Sequence, residues 1–389
     1  MSLVKANTYQ DASGGSNAVF SGVSSPPNSM GFRNRIINGA MMIDQRNAGA
    51  SVTPANGQYT LDRWFFSVSQ TSKLTSQQST TAPTGFKNSI LVTSSSAYTV
   101  GASEIFLLRQ NIEGNNIADL AWGTASAQSV TLSFWVRSSL TGTFGGAFRN
   151  SAANRFYPFS YTISSANTFE YKTVTIAGDT SGTWATDNTS GIELIFSLGA
   201  GSTVSGTAGS WGSTAYYSAT GATSVVGTNG ATFYITGVQL EAGTNASPFE
   251  RIDYGRQLIQ CQRYARRVGG DGTNYGYAGG VFSDGGATFM RYDQNPVEMR
   301  STISITTNLG SYRNTSGGPT TNQWALNDVA AGSRITWGTA PTFIALASND
   351  QRYVNFYSNN GVTPSASVVG RVYEYQFGPT AYIILSSEL

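Results

Sequence analysis

An all-β fold is predicted, and three observations predict it. Short segments of alternating apolar and polar residues recur along most of the 389 residues. Turn-forming glycines (44) and dense Ser, Thr and Asn separate them, while Tyr and Phe (20 each) suit a pleated surface. A single segment has helical periodicity. Together they indicate a jelly-roll β-sandwich, a short helical linker and a second, C-terminal β domain.

The elements follow in order. Residues 1–33, with ASGGS and FSGVSSPPNS, hold too few large apolar residues to fold alone and are expected to be either a disordered tail or a flexible segment that orders by docking onto another protein. FRNRIINGAMMIDQRNAG (32–49) has alternating Ile36/Asn38 and Ile37/Gly39 positions that suit an entry strand and a hinge into the next domain. Residues 34–250 form the jelly roll. Its clearest strand is SVTLSFWVRS (129–138), where Val130, Leu132, Phe134 and Val136 alternate with Thr131, Ser133, Trp135 and Arg137. GIELIFSLG (191–199) repeats the pattern, and YTLDRWFFSV, SILVTS, FYPFSYTI, FEYKTVTI and ATFYITGVQLE fit more loosely. Gly237 in the last of these signals a bulge or a close backbone approach.

Residues 194–240 carry no Lys, Arg, Asp or Glu, and the glycine-rich part holds Trp211, Tyr216 and Tyr217. DYGRQLIQCQRYARRV (253–268) places Tyr254, Leu258, Cys261, Ala265 and Val268 on one stripe, with Asp253 as N-cap and GGDG as the stop. That helix is the expected linker (251–270). It either packs on its own domain or, by its heptad character, forms a three-chain stalk. Alternation resumes over 271–389, where SVVGRVYEYQF and YIILSSEL, joined by FGPT, predict a closing hairpin.

Composition excludes whole classes of chemistry. Without histidine, Ser-His-Asp and Cys-His catalysis and His-ligated metals are closed to this chain. The single Cys261 excludes an internal disulfide and multi-cysteine zinc. Net charge is +2, so no global field favours nucleic acid, and Glu250 and Asp253 interrupt the arginines of 251–267. No phosphate loop occurs, no apolar run reaches membrane-spanning length, and MSLVKANTYQDASGG lacks the apolar core of a secretory signal. Neither a nucleic-acid partner nor membrane insertion is expected.

Carboxylates remain. Glu170, Asp179, Asp187 and Glu193 lie close in sequence, but a glycosidase needs two facing one scissile bond, and strand and turn positions explain these four. Sugar binding needs an exposed ring and nearby polar groups. Trp135 and Arg137, on the polar side of their strand, and Trp211, Tyr216 and Tyr217, in the uncharged loop, are the candidates for glycan stacking. Trp64 and Trp122, with apolar neighbours, are assigned to packing.

FRNRIINGAMMIDQRNAGA (32–50), YTLDRW (59–64), LSFWVRSS (132–139), FYITGVQLEAG (233–243) and PFERIDYGRQLIQCQRYARR (248–267) resemble, in this order, bacteriophage tail-fibre and related virion appendage proteins. PVEMRSTISI (296–305) and the terminal SSEL carry a weaker likeness to the β domains that follow in such fibres. The resemblance implies a non-enzymatic, homotrimeric virion component, assembled in the bacterial cytoplasm. It would attach to a tail, neck or capsid protein through residues 1–33 and meet a host cell-surface glycan or receptor, with residues 271–389 as the distal β tip. It implies a carbohydrate-binding-like jelly roll with no cofactor, and a structural calcium held by backbone carbonyls is compatible with it, though no motif locates one. A ligand-free head or neck decoration and a host-polysaccharide depolymerase are the alternatives.

Overall fold

The computed structural model of the chain describes residues 32–269, 276–283, 289–301, 304–308, 311–312, 323–328, 333–334, 342–347, 353–359, 372–377 and 382–388. The expected docking segment lies almost wholly outside them. Among the described residues the fold is nearly all β, with one short α-helix.

Thirteen strands lie between residues 59 and 242: β1 Tyr59–Leu61, β2 Trp64–Val68, β3 Leu74–Ser79, β4 Ser89–Ser94, β5 Ile105–Glu113, β6 Val130–Ser138, β7 Gly142–Asn150, β8 Phe156–Ile163, β9 Glu170–Ile176, β10 Ser190–Ala200, β11 Ser205–Gly206, β12 Ser218–Ala219 and β13 Thr232–Ala242. Six of them form one antiparallel sheet, β1-β2-β5-β10-β7-β8, and five form a second, β3-β4-β13-β6-β9. From β4 onward the chain passes repeatedly between the two sheets, which is the jelly-roll path.

Alternation explains the core. The inward Leu132, Phe134 and Val136 of β6 are fully buried and meet Phe196 and Leu194 of β10 from the facing sheet. Phe134 sits edge-on to both Tyr161 and Phe196. Trp64 and Trp122, assigned to packing, are 0% and 6% exposed. Each such large side chain contributes roughly 1.5–3 kcal/mol on burial. YTLDRWFFSV is two strands, not one, because Arg63 adopts φ +71° and turns the chain into a two-residue hairpin. β10 is buried on both faces, so its alternation marks core on one side and covered network on the other.

The opening stretch is not a strand. Residues 32–50 run as turns, with Asn38, Met41 and Ala48 in left-handed conformation. Its polar groups are structural. The Asn38 amide donates to the Ile43 and Asp62 carbonyls and its oxygen accepts from the Ile43 N–H. Ile37 and the Gln110 side chain exchange two hydrogen bonds, and Asp44 accepts from the N–H groups of Arg46, Asn47 and Gly49. This is a clasp built from satisfied buried groups.

The helix α1 covers Tyr254–Gln262, with the Asp253 carboxylate capping the Arg256 N–H. It ends well short of residue 268, because Ala265–Gly269 is a strand, β14, paired with Tyr382–Ser386. Pairing with that strand holds the stretch extended, and the stripe is thereby split between two elements. Cys261 is buried among Ile37, Ile43 and Tyr264, so α1 packs on the clasp. The closing hairpin is also absent. Val372–Phe377 pairs with Gly276–Ser283 and Gln323–Asp328, while Tyr382–Ser386 pairs with β14 and Ser304–Asn308 in a separate sheet.

That last strand delivers Glu388 to the sandwich. Its carboxylate pairs with Arg63 and, at 2.8 Å, with Arg46. Arg63 is 1% exposed, stacks 3.5 Å over the Tyr264 ring and donates to the Asn111 carbonyl. Burial opposes its charge, but Glu388 with Tyr264 and Tyr59 outweighs burial and raises its pKa above the ordinary value. Nearby, burial pushes the Glu113 carboxyl up. Hydrogen bonds from Arg263, Tyr264 and Asn115 overcome that and hold it below the usual range.

Candidate functional site

The outward face of the five-stranded sheet gathers rings around one guanidinium. The period of two in β6 sends Trp135 and Arg137 outward, both half-buried. Register supplies their neighbours. Trp135 lies opposite Tyr171 of β9 and Thr236 of β13, and Arg137 opposite Tyr234 of β13. The Trp135 and Tyr171 rings stand 5.4 Å apart, and Tyr171 is 43% exposed. The Arg137 guanidinium lies 5.0 Å from the Tyr234 ring and 5.9 Å from Phe169, whose rings are themselves 6.1 Å apart.

Gly237 extends this face. A bulge between Thr236 and Gln239 puts it at φ +61°, and a Cβ there would sit 2.6 Å from Phe86 and 3.1 Å from Trp135. Only glycine lets both rings close over the bulge. Phe86 meets Phe249 edge-on, and Arg251 lies 4.8 Å above the Phe86 ring. The result is a band of rings, from Phe169 to Phe249, with a guanidinium near each end. Such a surface can stack on the C–H faces of sugar rings while cations and strand-edge hydroxyls meet polar substituents.

The other three candidates lie elsewhere. Trp211 packs against Trp122, Trp184 and Tyr157 at the core's edge, and its indole N–H donates to the Ala177 carbonyl. Tyr217 stands edge-on to Phe156, 6.0 Å from Arg149, and seals the apolar patch of Leu107, Ala147 and Ile195. Tyr216 lines a polar cleft of about 270 Å³ over β8 with Phe156, Pro158, Thr207, Ser210 and Thr214. The five residues therefore separate: Trp135 and Arg137 share one outward face, Tyr216 and Tyr217 lie over the other sheet, and Trp211 closes the core's edge. Tyr171, Tyr234, Phe169, Phe86 and Arg251 were not singled out from sequence. Their signal, an aromatic at every second position in 169–171 and opposite in 234, has meaning only once the register is known.

The carboxylates are engaged in structure. Glu193 is 4% exposed and pairs with Arg109 and Arg149 across β10. Burial, then the proximity of Arg149, lowers the Arg109 pKa to about 10. Asp179 pairs with Arg155 at 2.6 Å, Glu170 with Lys172 and two backbone N–H groups, and Asp187 with Thr189. Among the described residues no group of three or more Cys, Asp or Glu comes together to hold a metal, and no helix is long and apolar enough to cross a membrane.

No family model and no curated protein matches the chain. Solved structures similar to it include the enzymatically active domain of tailspike protein 4 of bacteriophage CBA120, at 14% identity over 52% of this chain and 22% of that one, with TM-score 0.29. A putative sugar binding protein from Bacteroides thetaiotaomicron is 12% identical over 54% of this chain and 100% of its own, with TM-score 0.30. A family 11 carbohydrate-binding module from Clostridium thermocellum, solved with a mixed-linked β-1,3-1,4 tetrasaccharide, is 11% identical over 50% and 98%, with TM-score 0.27. At these scores the chemistry of the site has to be read from its own geometry.

Proposed function

We propose that the chain is an adhesive component of a bacteriophage virion fibre, binding host-surface glycans on the outward face of the five-stranded sheet. The observation that carries the binding is the band of half-exposed rings, Trp135 and Tyr171 at its centre, beside Arg137. The virion assignment rests on the ordered sequence motifs that resemble tail-fibre and appendage proteins. Contact is shallow and each site weak. Three copies per fibre raise avidity without any new contact. The mode is adhesive, and the ion pairing of Glu193, Asp179 and Glu170 with Arg and Lys supports a structural role for these carboxylates.

Binding of the full chain to whole host cells and to a glycan array tests this. Trp135→Ala and Tyr171→Ala each lower apparent affinity by about tenfold, the scale of one lost ring contact. Binding unchanged in both variants moves the ligand off this face. Silence against every host glycan overturns adhesion. Sedimentation of a 41.2 kDa monomer at micromolar concentration removes the avidity argument.

A further inference from the structure

The arginines of the sandwich and its clasp fall into two states. Arg33, Arg35, Arg46, Arg63, Arg109, Arg149 and Arg155 each have a carboxylate partner within 4.0 Å. Arg137 and Arg251 have none and are held by rings alone. Both belong to the face proposed for glycan binding. The Arg137 Nε, like those of Arg33, Arg35, Arg46, Arg63 and Arg109, is buried without a hydrogen-bond acceptor, so the carboxylate partner is what separates the two states. The nearest carboxylates are turned to other work: Glu170 is bound by Lys172, Ser164 and Ser165, Glu241 by Ser247 and Gln239, and Glu250 by the Asn34 N–H.

A guanidinium fixed between two rings has already lost most of its side-chain freedom. It presents a planar fork that matches a carboxylate. The geometry points to an acidic glycan as the ligand: a uronate-containing chain whose pyranose stacks on Trp135 and Tyr171 while its carboxylate accepts from Arg137. Arg251, beyond Phe86 on the same band, meets a second carboxylate further along the chain. Strand spacing sets Trp135 and Arg137 about 7 Å apart, so ring and fork engage one sugar or two adjacent ones. This rests on the adhesion reading of the same face.

The test titrates the full chain with oligomers of galacturonate, glucuronate and mannuronate, each beside its carboxyl-reduced neutral counterpart of equal length. At least one acid binds about tenfold more tightly than its reduced form, and that preference weakens with added salt. Arg137→Gln brings binding of the acid down to that of its reduced form, whereas Trp135→Ala weakens both forms and keeps the preference. Equal binding of every acid and its reduced form, or a preference that survives Arg137→Gln, overturns the acidic specificity and leaves adhesion standing. Absence of binding to any oligomer in either form, together with silence on the array, overturns both.

Discussion

The two outward faces of the sandwich use arginine in opposite ways. On the six-stranded sheet Arg109 and Arg149 flank Glu193 under the cover of Tyr217 and the loop that carries it. On the five-stranded sheet Arg137 is held by Tyr234 and Phe169 without any anion. One face is closed, and its two guanidiniums share one carboxylate. The other is open and its charge is unspent. Arginine type and strand position are alike in both, so burial and the presence of a carboxylate decide whether a guanidinium is mortar or a candidate contact.

If that division is right, stability effects should fall steeply from the first class to the second. Arg63→Ala is the largest. It leaves the Glu388 carboxylate, 6% exposed, with only Arg46 to neutralise it, and costs about 3–5 kcal/mol in chemical denaturation. A cost below about 1 kcal/mol would erase the distinction. Glu193→Gln comes next, at about 2–3 kcal/mol, because the amide retains one hydrogen bond while Arg109 and Arg149 lose the charge between them.

Glu113 sharpens the contrast through pH. Its folded pKa is below the unfolded value, so its contribution is complete above about pH 4.5 and is lost as pH falls through the folded value. Wild type therefore loses more stability between pH 5 and pH 3 than Glu113→Gln does, with the variant less stable at pH 7. Parallel thermal melts across that range check it, and identical acid slopes would show that Arg263 and Tyr264 do not hold the carboxylate.

Much of this was legible in the chain, and the misses have two physical origins, distant pairing and local turn chemistry. The alternation at 130–138 placed Trp135 and Arg137 outward correctly, because a period of two needs no distant partner. The stripe through Ala265 and Val268 misled, since those residues pair with Tyr382–Ser386 more than a hundred positions away. The closing hairpin failed for the same reason: its two segments found partners in different sheets. FRNRIINGAMMIDQRNAG looked like a strand because its polar residues alternate, whereas Asn38 and Asp44 use their side chains to close turns. The rings around Arg137 come from residues 169, 171 and 234, and only cross-strand register could assemble them.

The smallest expected effect is the most informative one. Arg137→Gln removes a cation held by two rings, and such contacts contribute about 0.5–1 kcal/mol each when partly exposed. No carboxylate is stranded by the change, and the buried Nε without an acceptor disappears with it. The stability of this variant should lie within about 1 kcal/mol of wild type in chemical denaturation, against several for Arg63→Ala. A loss of 3 kcal/mol or more would make Arg137 a structural residue and close the open face as a site. A near-neutral result leaves a fixed, half-buried, unpaired guanidinium with no role in holding the fold, and it is then a group available to a ligand.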